Sequence, residues 1–192
     1  MAVKPYSKIT VADYLALEAG KPEKHEYFDG EVFAMGGASA VHNLIVTNIV
    51  RELSVQLRKK PCLVYPSDLR VKVIHTGLYT YPDAIVVCDK PKLEQPGDTL
   101  LNPTVIIEVL SDSSELYDRG RKFEHYRTLP SLNEYLLVNQ HAPKIELYSR
   151  QPQQRWLLSA ANSLTDSISI SSIDCILGLV DVYEKVEWSP AT

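Results

Sequence analysis

Residues 39–59 contain neither proline nor glycine, and this uninterrupted segment limits the folds open to the chain. Its apolar side chains recur at helical spacing, at Val41, Leu44, Ile45, Ile49, Leu53 and Leu57. Pro61 ends the predicted helix, and the next three extended segments are rich in β-branched residues. They are residues 62–65 leading into 69–74, residues 79–88 and residues 105–110. We expect adjacent strands that pack against the helix.

The segments on either side of this unit also show clear patterns. Thr10 and Asp13 resemble a capping box that opens a short helix ended by Gly20 and Pro22. Further along, we predict a hairpin at 25–35 around an Asp-Gly turn, a loop at 89–103, a helix at 115–129, strands at 134–138, 144–148 and 155–158, and a tail with a strand from 168 and a short helix at 180–184.

The order of these elements is helix, three strands, helix, strand, with a hairpin added before it and strands added after it. This order predicts an α/β fold with a mixed sheet flanked by helices. The 192 residues carry no internal repeat or shift in composition, so we expect a single domain spanning residues 1–192. A chain that is 45% hydrophobic and 23% charged is typical of a water-soluble globular protein.

Composition also limits the environment and the partners of the protein. No apolar run approaches the length that spans a bilayer, and the first ten residues lack a signal-peptide pattern, so we expect a cytoplasmic protein without membrane contact. Cys62, Cys88 and Cys175 lie far apart in apolar surroundings and are interpreted as small core residues rather than a disulfide framework. The net charge of −4 means that nucleic acid would have to bind through a local basic patch or metal ions.

Two acidic residues interrupt segments that otherwise predict buried strands. Glu108 lies within residues 104–110, where an unpaired carboxylate is costly. Asp83 follows Pro82 and precedes an apolar run, which suggests the mouth of a strand. If the two strands are neighbours, both carboxylates can bind one hard divalent cation. The alternative for each acid is an ordinary ion pair or a solvent-facing position.

Three further side chains are weaker candidates. Lys122 could supply positive charge for phosphoryl chemistry, although an exposed ion pair with Asp118, four residues earlier, explains it equally well. His42 could join the site or be a hydrogen-bonded core histidine. Glu26 flanks the predicted hairpin turn and could reach the metal or face solvent. The helix at 115–129 is also basic, and such a patch could hold a phosphate backbone or be a solvated face.

Several classes of enzyme lack their sequence patterns. Ser111, Ser113 and Ser114 lie beside Asp112, but no G-x-S-x-G elbow surrounds them, and such residues after a strand usually cap the next helix. The sequence contains no P-loop, no G-x-G-x-x-G and no paired-cysteine zinc pattern. A serine hydrolase and nucleotide-dependent enzymes are therefore not predicted.

Several short motifs together resemble one family. Pro82-Asp83, Glu108-Val109-Leu110, the segment 117–123 and Glu134-Tyr135 are similar to the Uma-type family of "putative restriction endonucleases", in the PD-(D/E)XK nuclease superfamily. The resemblance runs from about residue 26 to residue 148. It implies a restriction-endonuclease-like fold, whose core has the element order predicted above.

The resemblance also implies a mechanism. Asp83 and Glu108 would bind Mg²⁺ or Mn²⁺, Lys122 would stabilise the phosphate in the transition state, and Glu26 and His42 would be further members of the site. Leu110 stands where the superfamily normally has its lysine, so Lys122 must reach the site from the following helix.

The leading hypothesis is a Mg²⁺-dependent endonuclease that hydrolyses DNA as a homodimer. A catalytically silent nuclease-fold module for binding or assembly is the first alternative, because the net charge is acidic and the lysine is displaced. A glycosidase with a carboxylate pair is the second alternative, although no aromatic cluster suited to sugar stacking lies near the two acids.

Overall fold

A computed structural model of the protein describes residues 8–19, 23–94 and 97–188. The helices are α1 (Val11–Glu18), α2 (Ala40–Leu57), α3 (Glu115–Tyr117), α4 (Phe123–Tyr126) and α5 (Leu179–Val182). The strands are β1 (His25–Phe28), β2 (Glu31–Ala34), β3 (Leu63–Pro66), β4 (Arg70–Val73), β5 (Leu78–Thr80), β6 (Ala84–Val87), β7 (Leu93–Glu94), β8 (Thr99–Leu100), β9 (Val105–Leu110), β10 (Glu134–Asn139), β11 (Ile145–Gln151), β12 (Arg155–Ala161), β13 (Ser167–Ile170) and β14 (Cys175–Gly178). In the part of the chain described, no helix is both long enough and apolar enough to cross a membrane.

The strands form a central sheet that carries the predicted core. Its order is β12-β11-β10-β9-β6-β3, and β9 pairs in parallel with β10 and antiparallel with β6. With α2 before β3, and α3 and α4 between β9 and β10, the chain follows the predicted order of helix, three strands, helix, strand. The prediction of a mixed α/β fold of restriction-endonuclease type is confirmed.

A second, outer sheet has the order β2-β1-β5-β4-β8-β7. It corrects three sequence predictions. Residues 79–88 are two strands, because the chain leaves the outer sheet after β5, passes Pro82 and enters the central sheet at β6. The segment 69–74 forms β4 of the outer sheet, so it is not adjacent to β6 or β9. The predicted loop at 89–103 contains the short strands β7 and β8.

The N-terminal elements agree with their sequence signals where the structure describes them. Thr10 and Asp13 form the predicted capping box of α1. Gly20 and Pro22, predicted to end that helix, lie outside the described residues. Asp29 and Gly30 both adopt positive φ angles, 47° and 84°, as a tight hairpin turn between β1 and β2 requires.

Apolar cores cover both faces of the central sheet. On one face, Ile45, Ile49 and Leu53 of α2 are fully buried against alternate residues of the strands, including Ile107. The remaining alternate residues of the strands, such as Ile106, face the other side, where they pack against helix α4 and the outer sheet. The apolar side chains at helical spacing in α2 therefore pack against every second residue of β9, as the sequence predicts.

The second helical segment is less regular than predicted. The sequence predicts one helix over residues 115–129, but the structure has α3, a π-helical turn at Asp118–Lys122, and α4. Helix α4 ends at Tyr126, a few residues before Pro130. A π turn contains one more residue than an α turn, so it changes the direction of the side chains that follow it.

The interpretation of two cysteines was wrong. Cys62 and Cys88 form a disulfide, because they continue the β3–β6 ladder one residue beyond the pair of Leu63 and Val87 and so lie opposite each other. The separation of the two cysteines in sequence does not predict their pairing, because the pairing depends on the register of β3 and β6, which is set by packing. Cys175 is buried in the core beside α2, as expected.

Candidate active site

Glu108 lies on β9, in the middle of the central sheet, with 3% of its surface exposed. Because side chains alternate along a strand, it shares the α4 face with Ile106. Its Oε1 atom lies 3.0 Å from the Lys122 ammonium and accepts a hydrogen bond of 2.8 Å from the Tyr126 hydroxyl. The buried carboxylate therefore has the cationic partner that its position demands.

Lys122 lies at the end of the π-helical turn and is also buried. Besides Glu108, its ammonium contacts Glu26 Oε1 at 3.3 Å and Asp118 Oδ1 at 3.2 Å. We call Lys122, Glu26, Glu108 and Asp118 the lysine cluster. The alternative interpretation of Lys122 and Asp118 as an exposed surface pair is wrong, because this face of the helix lies against the central sheet.

Three elements far apart in the sequence bring the lysine cluster together. Glu26 comes from β1 of the outer sheet, where the Thr80 hydroxyl of β5 donates a hydrogen bond to its Oε1 atom. Glu108 comes from the central sheet, and Lys122 from the helical segment between the sheets. The cluster thus joins three separate elements.

Burial and charge act in opposition within the cluster. Burial raises the pKa of Glu108 well above its usual value, and the nearby Lys122 only partly opposes this. Burial by itself would lower the pKa of Lys122, but the surrounding acids, Glu108 foremost, raise it well above its usual value. Burial likewise raises the pKa of Asp118. One ammonium faces three carboxyl groups, and burial favours the neutral forms of Glu108 and Asp118, so a further cation nearby would favour their ionised forms.

Asp83 lies at the end of the ladder between β6 and β9. The pairing of Ala84 with Ile107 places Asp83 opposite Glu108. Its Oδ2 atom accepts a hydrogen bond of 2.7 Å from the Val109 backbone N–H and lies 3.2 Å from His42 Nε2. The Asp83 side chain is 17% exposed, so it is the more accessible of the two strand acids.

His42 reaches Asp83 from the first turn of α2, which Ser39 caps. Burial tends to lower the pKa of His42, but the hydrogen bond and the charge of Asp83 outweigh burial and raise it. Its Nδ1 atom is buried and has no hydrogen-bond partner within the described ranges. The imidazole is thus held by one contact with a carboxylate at the edge of the site.

The two strand acids keep oxygen atoms available. Hydrogen bonds within the described chain go to Oδ2 of Asp83 and Oε1 of Glu108, which leaves Oδ1 and Oε2 free of them. No group of three or more His, Cys, Asp or Glu side chains among the described residues is arranged to hold a metal ion. Mg²⁺ commonly binds through one or two carboxylates and keeps several waters. A hard divalent cation therefore fits this pair of acids.

The five predicted site residues fall into two contacting groups. Glu26, Glu108 and Lys122 belong to the lysine cluster, while Asp83 and His42 form a pair at the end of the β6–β9 ladder. The backbone of Val109, next to Glu108, connects the groups through its hydrogen bond to Asp83. No direct ion pair joins Lys122 to Asp83 in the described structure.

Sequence reasoning missed three residues that support the cluster. Asp118 was considered only as a surface partner, and Tyr126 lay in the predicted helix without an assigned role. The Tyr135 hydroxyl donates a hydrogen bond of 3.1 Å to the Asp118 carbonyl. One signal was available, since residues 118, 122 and 126 are four apart and share one helix face.

The basic helix is not a free phosphate-binding patch along its whole length. Arg119 donates hydrogen bonds to Glu115 at 2.8 Å and to Glu146 at 2.5 Å. Lys122 points into the lysine cluster. Arg121 and Arg127 remain exposed. Two of its basic residues, Arg119 and Lys122, therefore form ion pairs within the protein, whereas Arg121 and Arg127 form none among the described residues.

Comparisons with known proteins agree with this architecture. The chain is 35% identical over 93% of its length to an uncharacterized protein, slr1290, of Synechocystis sp., covering 93% of that protein. It is 36% identical over 83% of its length to a second uncharacterized protein of that organism, sll1609, covering 90% of it. A crystal structure described as "a putative nuclease belonging to DUF820", from Anabaena variabilis, has the same fold, with a TM-score of 0.73 and 18% identity over 93% of this chain and 99% of that one.

A family model covers most of the same region. The model is Uma2, described as "Putative restriction endonuclease", and it matches residues 11–175. This range includes all five residues of the predicted site. The chain belongs to the Uma2 family.

Proposed function

We propose that the protein is a metal-dependent endonuclease that hydrolyses phosphodiester bonds in DNA. The observation that carries the proposal is the contact of 3.0 Å between Lys122 and Glu108, on the strand next to the one that Asp83 precedes. Two acids at adjacent strands can hold a divalent cation, and a lysine beside one of them can stabilise the charge that develops on a phosphate during its hydrolysis. Family membership supports the same activity.

Asp83 and Glu108 would hold Mg²⁺ or Mn²⁺ through their free oxygen atoms. The bound cation would supply a nucleophile at neutral pH and neutralise charge on the phosphate. The Val109 N–H fixes Oδ2 of Asp83, and Lys122 with Tyr126 fixes Oε1 of Glu108. The protein therefore orients both acids before any cation arrives, which lowers the cost of assembling the site.

Lys122 has two roles in this proposal. Its charge opposes the rise that burial causes in the pKa of Glu108, and it adds positive potential near the scissile phosphate, where negative charge develops. Glu26 is a positioning residue, because it contacts the Lys122 ammonium and is itself held by Thr80. His42 positions Asp83 in the same way and lies where it can accept or donate a proton at the edge of the site.

The activity test uses plasmid, single-stranded and branched DNA with Mg²⁺ or Mn²⁺. Asp83→Asn and Glu108→Gln keep the shape of each side chain and remove its charge, so we expect cleavage to fall by about a hundredfold or more. The exposed Asp89→Asn is the control and should cleave like the wild type. Equal cleavage by the wild type and both site variants would exclude this site.

The proposal extends to the organisation of the enzyme. Cleavage of both strands of a duplex needs two active sites, so we propose a homodimer in which residues 1–192 form one domain of each subunit. We place it in the cytoplasm, where double-stranded DNA of bacterial cells is accessible. Active-site titration against subunit concentration measures whether both subunits of a dimer are active.

One observation favours a second function, a nuclease-fold module that binds or assembles without cleaving. Glu108 and Lys122 are almost completely covered, and the Lys122 ammonium already has three acidic partners within the protein. Thermal melting separates the two functions, because a cation that binds the folded state raises the melting temperature. No shift with Mg²⁺ or Mn²⁺, together with no cleavage, would favour the silent module.

A further inference from the structure

The two edges of the central sheet differ in how they are protected. Strand β12 forms one edge, has seven residues, and is exposed along most of its length. Leu157 and Leu158, in its middle, are 56% and 49% exposed. They point to opposite faces of the sheet, because adjacent side chains of a strand alternate. An open apolar edge of this length is a template for another strand.

Strand β3, at the other edge, carries the features that block such pairing. It has four residues, it ends in Pro66, and Pro61 stands just before it. Proline has no backbone N–H to donate to a further strand. Strand β12 contains neither proline nor glycine, and its one charged residue is Arg155 at its first position. The sheet is therefore closed to pairing at β3 and open at β12.

We propose that β12 pairs antiparallel with β12 of a second copy of this chain, and that the two central sheets become one continuous sheet. A two-fold axis at Leu158, the middle residue, places each residue opposite another of the same strand. Self-pairing of one surface with itself is the commonest form of protein dimer. This inference concerns assembly and does not depend on nuclease activity.

The sequence of β12 complements itself in this arrangement. Arg155 lies opposite Ala161, and Trp156 lies opposite Ala160, so each large side chain meets a small one. Leu157 lies opposite Ser159, and the two copies of Leu158 meet at the axis. The large side chains lie in the first half of the strand and the small ones in the second half. Antiparallel self-pairing therefore places large side chains opposite small ones.

Charge favours the same arrangement. In the antiparallel pair, the two copies of Arg155 stand about 20 Å apart along the strands, so they do not repel strongly. A parallel pair would place identical residues side by side, including the two arginines. The decrease in side-chain size along β12 is complementary to a second β12 strand and not to strands in general. Strand β12 of a second copy of the chain is thus the binding partner that best complements this edge.

The first test measures molecular mass by light scattering and sedimentation over a wide range of protein concentration. We expect the wild type to be a dimer that dissociates on dilution, because one strand pair buries a modest area. Leu158→Lys places two like charges at the axis and should give a monomer with an unchanged circular dichroism spectrum. Val180→Lys is the matched control, since Val180 is 60% exposed on α5, and should behave as the wild type.

The second test is cross-linking under a mild oxidant. Opposite residues of an antiparallel pair have Cβ atoms about 5 Å apart, so Leu158→Cys should form a disulfide-linked dimer. Val180→Cys should remain uncross-linked. A wild type that is monomeric at every concentration, a Leu158→Lys variant that dimerises as well as the wild type, or a dimeric Leu158→Cys variant that does not cross-link would each overturn the inference.

Discussion

The two faces of the central sheet are built in different ways. Helix α2 covers one face with an uninterrupted run of eighteen residues, and its inward side chains Ile45, Ile49 and Leu53 are apolar and fully buried. The opposite face meets a helical segment broken by a π turn, which places Asp118 and Lys122 inward. Both helical segments cover the same strands, so the sheet does not dictate the difference.

Under the proposed function, this difference separates a face that serves stability from a face that serves chemistry. Apolar packing on the α2 face contributes free energy of folding without selecting a charge state. The lysine cluster on the α4 face buries charged groups, and a well-packed apolar replacement of buried ion pairs is often equally or more stable. Under the proposed function, the role of this buried cluster is therefore in catalysis rather than in stability.

Replacing Lys122 with methionine should have the largest effect on stability. Its removal leaves Glu26, Glu108 and Asp118 without their cation, and breaking a buried pair in this way costs about 3–5 kcal/mol. The pKa values of Glu108 and Asp118, already raised by burial, should rise further. The folded state then holds protons that the unfolded state releases, so the stability of the variant should fall as pH rises from acidic to neutral.

Urea unfolding at several pH values measures this effect. Lys144→Met is the control, because Lys144 is 39% exposed in its pair with Glu146 and such pairs contribute about 0–1 kcal/mol. A Lys122→Met variant as stable as this control at neutral pH would show that the cluster is not held by its charge.

Two tyrosines allow a matched comparison of the faces. Tyr126→Phe removes a hydrogen bond of 2.8 Å to the Glu108 carboxylate, and bonds to charged groups contribute about 1.5–3 kcal/mol. Tyr183→Phe, on the α2 side, removes a hydroxyl whose one hydrogen is shared between the neutral carbonyls of Asn139 and Lys144 and whose oxygen accepts a bond from the Lys144 N–H. Such neutral bonds contribute about 0.5–1.5 kcal/mol each. Calorimetry should show weaker Mg²⁺ binding for Tyr126→Phe alone. An equal loss of Mg²⁺ affinity in both variants would contradict the separation of roles.

Ile49→Val tests the apolar face with a smaller change. Removing one methylene group from this fully buried side chain should cost about 0.5–1.5 kcal/mol. Because no charged group takes part, the loss should be the same at every pH and with or without Mg²⁺. Urea titrations under these conditions check it, and a loss that depends on Mg²⁺ would show that the two faces are coupled.

Gly120→Ala should have the smallest effect and the opposite sign. Apart from the neighbouring residues and the backbone of its own helix, no atom of the described residues lies within 4 Å of an added Cβ, and the helical backbone suits alanine. The substitution should stabilise the protein by about 0.4–1 kcal/mol, chiefly by restricting the unfolded chain. DNA cleavage should not change if the geometry of the π turn depends on its inward contacts. Lost cleavage would show that the turn needs glycine.

The same comparison separates what sequence could and could not predict. Helix α2 and strand β9 were predictable because each has one apolar period that agrees with its burial. The π turn was not, because the side chains of Asp118 and Lys122 have the spacing of a surface ion pair. The positions of Glu108 and Glu26, on two different sheets, show why this pair faces inward.

The split of residues 79–88 was missed for a related reason. Tyr79 and Val86 both favour strands, and local preference does not tell which sheet a strand joins. Pro82 marked the interruption but not the change of sheet. The disulfide between Cys62 and Cys88 depends on the same long-range register, so it could not be inferred from apolar neighbours.

The bond from the Val109 N–H to Asp83 has a consequence for how this protein can vary. Every amino acid except proline supplies a backbone N–H, so the link does not depend on which side chain occupies position 109. The hold on Asp83 is therefore provided by the main chain of the strand that carries Glu108. Any substitution at position 109 except proline should leave this link between the two strands in place.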